Sequence, residues 1–307
     1  MIMKERGIPQ ELQLLRGLRP RMNFSESEES YYLYKEKGYE GEMNFDKWAV
    51  PLSKKMIFLN DINLNQNNNN FQVDSFGISS GTLHHFEVKN LEGDYSIEKG
   101  KWTSPSGNPV KNPLLQVDKT ETHLNQLVKN YNIPLSVKSH LIFINPEFHL
   151  YDVPSNLPII YPAQMNRFRN NLLQNSSKIR NADIRAAEKL LSLSIGGSPY
   201  NSVPKYSYEE LRKGIVCSGC GEFYTEAKRI LHCEFCGVRE SCSDAVLRSV
   251  EEFGLLFPDF KVTTKNIFDW CKVIKDERTV QRVLRSNLQM IGNKRSSYYI
   301  KGTREKE

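Results

Sequence analysis

Phe71–Asn90 reads FQVDSFGISSGTLHHFEVKN, and the folding of this stretch decides what residues 1–200 can be. It reads as two short strands joined at Gly81 and carries Asp74, Glu87 and Lys89. Side chains alternate along a strand, so Glu87 and Lys89 share one face while Phe86 and Val88 take the other. At ~3.3 Å rise per residue the Glu87 and Lys89 Cα atoms lie roughly 6–7 Å apart. If the two strands pair antiparallel, Asp74 approaches the same spot. Two carboxylates and a lysine converging at a sheet edge suit a hard divalent cation and a phosphodiester. The competing reading is an exposed face with a cross-strand ion pair, which contributes only about 0–1 kcal/mol. The flanking sequence has to decide between them.

The 307 residues are enough for two or three domains. Hydrophobic residues make up 39% and charged residues 25%, the balance of an ordinary soluble protein. No run of 18 apolar residues occurs, and MIMKER at residues 1–6 is not followed by an apolar signal region, so a cytoplasmic location without membrane contact is expected. Four of the 6 cysteines form two close pairs, which in a reducing compartment favours a metal over disulfides. The net charge of +6 is unevenly placed: from Lys261 onward 12 Lys and Arg face 5 Asp and Glu, which points to a polyanion partner there.

Residues 1–22 read as a polar helical arm interrupted by Pro9 and Pro20, without visible chemistry. A helix is expected through Tyr31–Trp48, with Glu40 and Glu42 near its middle, then a short apolar strand at Ile57–Leu59 and a polar loop at Asn63–Asn70 (NLNQNNNN). Another strand follows Gly93 and reaches Trp102. Asn112-Pro113 has the chemistry of a helix start, and Leu114, Val117, Leu124 and Val128 recur at helical spacing, with Gln116 off that stripe. His140–Asn145 is the run of a central strand covered on both faces. Pro158–Tyr161 is a further strand and Met165–Leu173 a helix. Helix, three strands, helix and strand make an α/β core with one layer of sheet.

Residues 36–130 resemble the nuclease-related domain family, NERD, a branch of the PD-(D/E)xK nucleases. The resemblance rests on GYEGE (Glu42), QVDSF (Asp74), FEVKN (Glu87, Lys89) and NPLLQ (Asn112, Pro113, Gln116), in that order. Ser75 follows Asp74 where a histidine is common in the family. The resemblance implies a restriction-endonuclease-like mixed-sheet core and a metal-dependent phosphodiesterase, with Asp74 and Glu87 as ligands of Mg²⁺ or Mn²⁺. Lys89 then positions the attacking water, deprotonates it if its pKa is depressed, or stabilises transition-state charge. Glu42 acts through a metal-bound water or a second ion, with Glu40 as a rival, and Gln116 orients the phosphate or Lys89. His84 and His85 are expected to be structural or incidental DNA contacts.

A Gly-, Ser- and Pro-rich boundary at Ser192–Pro204 precedes Cys217-x-x-Cys220 and Cys233-x-x-Cys236. Two such pairs joined by a short hairpin make a structural zinc ribbon; a redox dithiol or a rubredoxin-like iron site is the lesser alternative. His232 is expected to point away, and Cys242 and Cys271 to be ordinary buried residues. Three helices and a hairpin follow. The third helix presents Arg278, Gln281, Arg282, Arg285 and Asn287, and Lys294-Arg295 lies in a basic turn like the wing of a winged helix. A helical bundle with a solvated face, or a protein-binding module, is the alternative.

The expected domains are an arm (1–22), a nuclease-like domain (23–195), a zinc ribbon (205–241) and a winged-helix-like basic domain (242–307). The expected function is metal-dependent hydrolysis of DNA phosphodiesters, as an endonuclease of DNA processing, repair or defence. A non-catalytic DNA-binding protein and an RNA-processing nuclease are the alternatives, so RNA remains a possible partner. Oligomeric state is not legible.

Overall fold

The computed structural model describes residues 1–154, 156–196, 202–293 and 297–301. They form two compact units. One holds Met1–Gln10 and the described residues from Tyr31 to Gly196; the other holds Glu11–Ser30 and those from Ser202 on. The chain opens with β1 (Ile2–Lys4), α1 (Gln10–Leu18) and α2 (Glu26–Ala49). Next come β2 (Ile57–Gln66), β3 (Asn69–Ser79), β4 (Thr82–Lys89), β5 (Gly93–Glu98), β6 (Lys101–Thr103) and β7 (Pro109–Val110). Then follow α3 (Pro113–Asn130), β8 (Ser136–Phe143), β9 (Phe148–Tyr151), β10 (Ile159–Ile160), α4 (Met165–Asn175) and α5 (Asn181–Ser192). The second unit adds β11 (Ile230–His232), β12 (Arg239–Ser241), α6 (Cys242–Leu256), α7 (Thr264–Cys271), α8 (Glu277–Asn287), β13 (Gln289–Ile291) and β14 (Tyr298–Ile300).

The first unit is a mixed α/β fold around a six-stranded sheet of order β1-β2-β3-β4-β8-β10. β2, β3 and β4 are antiparallel, while β1, β8 and β10 join parallel. Ser80-Gly81, both at positive φ, closes the β3–β4 hairpin. Phe86, Val88 and Ile142 face Phe45 and Ala49 of α2, while Leu83 faces Leu124 and Leu127 of α3. Leu141 and Phe143 meet Leu114 and Val117, so β8 is covered on both faces, as its apolar run requires. Asn112 caps α3 by accepting from the Leu114 N–H.

Three expectations change here. The sheet is not alone: β7, β6, β5 and β9 form a second, four-stranded sheet. NLNQNNNN is not a loop; it ends β2 and starts β3 around Asn67-Asn68, both in the left-handed region that asparagine tolerates. Residues 1–22 are not a separate arm, because β1 pairs with β2 and α1 buries Leu14 and Leu18 in the core of the second unit.

That second core also holds Ile215, Tyr224 and Leu231 of the cysteine-rich segment with Val246, Phe253, Trp270, Val280 and Leu284 of α6, α7 and α8. The segment has too few apolar residues for a core of its own and shares one with the helices. Thr263 and Asp276 cap α7 and α8, accepting from the Asn266 and Arg278 N–H groups. No helix among the described residues is long and apolar enough to cross a membrane.

Gly41 of α2 explains the second glycine of GYEGE. A Cβ there would lie 2.5 Å from the Asn90 Cβ, so glycine lets the helix close on the end of β4. Gly41→Ala should therefore destabilise the protein by about 1–3 kcal/mol despite alanine's better helix propensity. Gly38→Ala meets nothing within 4 Å and should stabilise by up to about 1 kcal/mol. Urea denaturation of the two variants checks the opposite signs.

Candidate active site

The β3–β4 ladder runs from Ser79↔Thr82 to Ser75↔Phe86 and stops. Asp74 and Glu87 would form the next opposed pair. The alternating ladder would next send the Val88 N–H to a β3 carbonyl; it goes instead to the Asp74 carboxylate, at 2.8 Å. The β2–β3 register likewise skips Asp61 and Asp74. Inward residues step from Leu59 to Ile62 and from Val73 to Phe76, so both strands lose their alternation at one point. Asp61 takes φ 54° there. Such irregularities re-aim side chains next to functional sites.

β4 itself stays regular to Lys89, held by β8. His85, Glu87 and Lys89 therefore line its α3 face. Lys89 Nζ donates to Glu87 Oε1 at 2.6 Å and to Gln116 Oε1 at 3.3 Å. Glu87 is 1% exposed, and its Oε2 has no hydrogen-bond partner among the described residues. His85 Nε2 lies 3.7 Å from that oxygen, on a ring whose Nδ1 meets Ser139 Oγ at 3.0 Å. Ser75 is buried and donates to Asn60 Oδ1 at 2.7 Å, a β2–β3 tie. Glu42 is linked to this cluster through a residue that local sequence patterns gave no reason to single out. Arg6 Nη1 donates to Glu42 Oε2 at 2.6 Å, and Arg6 Nη2 to the Asp74 carbonyl at 2.8 Å. Arg6 also forms a two-pronged pair with Asp46. Glu40, the rival to Glu42, is exposed. His84 stacks on His140 on the opposite, α2 face, where a role in the fold is the fitting one.

Charge in the cluster is unbalanced. Burial and the neighbouring Glu87 push Asp74 up to about 6, against the pull of Lys89 and the Val88 N–H. Burial, then Asp74, pushes Glu42 up to about 8, with Arg6 opposing. Burial also works against the Glu87 carboxylate, but Lys89 and His85 prevail and hold it below the ordinary value. Burial works against the Lys89 ammonium too; Glu87 and Asp74 outweigh it and raise its pKa. Lys89 is thus a fixed cation here, which suits orienting and charge-stabilising roles and not the deprotonating one. The donors fit a hard divalent cation: Asp74 and Glu87 offer oxygen, and the Glu87 Oε2 is a buried acceptor with no donor bound to it.

The second unit brings the four cysteine thiols together, all within 4.8 Å of one another, where they can hold a metal ion. Cys217 and Cys236 Sγ are 3.6 Å apart, Cys220 and Cys233 Sγ 3.5 Å, close to the roughly 3.8 Å edge of a tetrahedron with ~2.3 Å metal–sulfur bonds. The hairpin geometry differs from expectation, since each pair sits in its own turn, one inside the Val216↔Phe223 bridge and one between β11 and β12. Gly221 and Gly237 follow the pairs at φ 80° and 75°, and each returns its N–H to the carbonyl of the first cysteine. The repeated Cys-x-x-Cys-Gly was the signal for this. His232 is exposed and turned away, and Cys271 is buried. Arg278, Arg282 and Arg285 are exposed on α8. Lys294 and Arg295 lie outside the described residues.

Without added divalent ion, ionisation of Asp74 and Glu42 opposes folding. Their folded values lie above the unfolded ones, so the folded state holds more protons between about pH 4 and pH 8 and stability falls as pH rises through that window. Asp74→Asn can still accept from the Val88 N–H. It should be neutral near pH 4 and stabilising by about 1–3 kcal/mol at pH 8. Urea denaturation across pH measures this, and a loss of stability at pH 8 would contradict it.

Residues 37–144 match the family model of NERD, the nuclease-related domain, which belongs to the PD-(D/E)xK-like nuclease group. The match runs from the middle of α2 to the end of β8 and takes in Glu42, Asp74, Glu87, Lys89 and Gln116. Comparison with curated proteins and with solved structures found no match.

Proposed function

We propose that the nuclease-related domain at residues 37–144 hydrolyses phosphodiester bonds in DNA, as an endonuclease, with Mg²⁺ or Mn²⁺ held by Asp74 and Glu87. The observation that carries this reading is the break in the β3–β4 ladder, which sets the Asp74 carboxylate against β4 beside Glu87 and its lysine. When bound, the divalent ion supplies Lewis-acid neutralisation of the phosphate and acidification of water.

The side chains divide the remaining work. The Val88 N–H fixes the Asp74 rotamer, and Lys89 keeps Glu87 ionised. The Lys89 ammonium is a donor for a phosphate oxygen as charge builds in the transition state, and Gln116 keeps it aimed. The four cysteines hold a structural Zn²⁺, which small domains of this kind need in order to fold. Helices α6, α7 and α8 with the β13–β14 hairpin support a winged-helix reading. The Tyr299 N–H to Val262 carbonyl bond adds the chain before α7 to that hairpin. Arg278, Arg282 and Arg285 then face DNA phosphates and base edges.

Plasmid cleavage with Mg²⁺ or Mn²⁺ tests the reaction. Asp74→Ala should lower the rate by about 10³-fold or more and Lys89→Ala by about 10²–10³-fold. Absence of metal-dependent cleavage of every DNA and RNA form would overturn the proposal, and cleavage of RNA alone would reassign the substrate. Arg282→Ala should weaken DNA binding and reduce the salt slope by about 1.

The ribbon gives a separate expectation. Purified protein should carry one zinc per chain, released on thiol modification and counted with a chromogenic chelator. Cys233→Ser should lose the ion and melt the second unit at lower temperature.

A further inference from the structure

We infer that Arg6 is a permanent cation of the acidic cluster, and that the cluster therefore takes one divalent ion and not two; this rests on the nuclease reading above. The Arg6 side chain is 1% exposed. Its partners are Glu42 Oε2 at 2.6 Å, Asp46 Oδ2 at 2.8 Å and Oδ1 at 3.1 Å, and the Asp74 carbonyl at 2.8 Å. Two carboxylates and a carbonyl are the kind of oxygen set that holds a hard divalent cation. Here a guanidinium takes them, and its planar fork matches the Asp46 carboxylate in a way an ammonium does not.

Charge balance leads to the same count. With a cation bound and all four carboxylates ionised, Glu42, Asp46, Asp74 and Glu87 face Arg6 and Lys89, which leaves two negative charges, the complement of a single divalent ion. Glu42 is then a positioning residue and not a ligand. It fixes Arg6, Arg6 fixes the Asp74 carbonyl, and the Asp74 carboxylate is left to face Glu87. Lys4 completes the brace by donating to the Asn60 and Asp61 carbonyls on the partner strand of the same irregularity. Both basic residues lie outside the residues matched as the nuclease-related domain.

The test is the Mn²⁺ stoichiometry of the full chain, with its cysteines kept zinc-loaded, by calorimetry and electron paramagnetic resonance. The native chain should bind one Mn²⁺, lost in Asp74→Ala. Glu42→Gln keeps an oxygen for Arg6 to donate to but removes the charge of the pair, and should weaken that ion by about 10-fold without changing the count. Arg6→Ala should bind a second Mn²⁺, and Arg6→Ala/Glu42→Gln should return to one. Two ions in the native chain, falling to one in Glu42→Gln, would overturn the inference and leave the metal-dependent reading standing. A single ion in Arg6→Ala would also overturn it. No ion in the native chain would remove both. Should Arg6→Ala not fold, the counts for the native chain and Glu42→Gln decide alone.

Discussion

A β-sheet cannot be opened without finding new partners for the backbone groups it releases. The first unit is built around one such opening, between β3 and β4 beyond Ser75 and Phe86. The Asp74 carboxylate takes the Val88 N–H, Arg6 takes the Asp74 carbonyl, and Lys4 takes the carbonyls of Asn60 and Asp61. The groups that repair the opening are therefore the groups that make the site. A change of Asp74 therefore perturbs the sheet together with the candidate site.

The electrostatics follow from the same geometry. Glu87 has a lysine at 2.6 Å and stays ionised although buried. Asp74 and Glu42 are half-buried, but desolvation and a neighbouring carboxylate outweigh the groups that favour their charge, and their pKa values rise. One anchored anion beside two reluctant ones is a poor arrangement for stability and a good one for receiving positive charge. Proteins tolerate such local conflicts at functional sites because the surrounding core supplies the stability. Here that core is the pair of apolar layers on either face of β4 and β8.

Much of this was legible in the sequence, for reasons that can be named. A two-residue Ser-Gly turn fixes the register, and counting back from it sets Asp74 opposite Glu87. Alternation places Lys89 beside Glu87 because β8 holds β4 straight. Alternation does not predict Asp74, whose strand loses its period at that residue; the register reached the right place without the reason. Arg6 was invisible because its partners are 36, 40 and 68 positions away and no local pattern marks it. The polar Asn63–Asn70 run hid a hairpin since asparagine's tolerance of positive φ leaves no periodic signature. The second sheet depends on the parallel pairing of β5 with β9, a contact across a helix and three strands that composition does not encode.

The two metal-fitting clusters of this chain differ in hardness, and that difference is itself an argument about selectivity. Four thiols in the second unit suit a borderline ion such as zinc, whereas Asp74 and Glu87 offer only oxygen. An imidazole nitrogen, His85 Nε2, lies 3.7 Å from Glu87 Oε2 and would soften the oxygen site if it became a ligand. Its ring is fully buried and tethered through Nδ1 to Ser139, so moving it into a metal's coordination sphere would cost a buried hydrogen bond. A hard ion makes no demand on that ring. Arg6 narrows the choice further, because a guanidinium already occupies the oxygens of Glu42 and Asp46 that a second ion would need. Ligand softness suits the sulfur cluster to a softer ion than the oxygen cluster, where fixed charge limits what can be accepted.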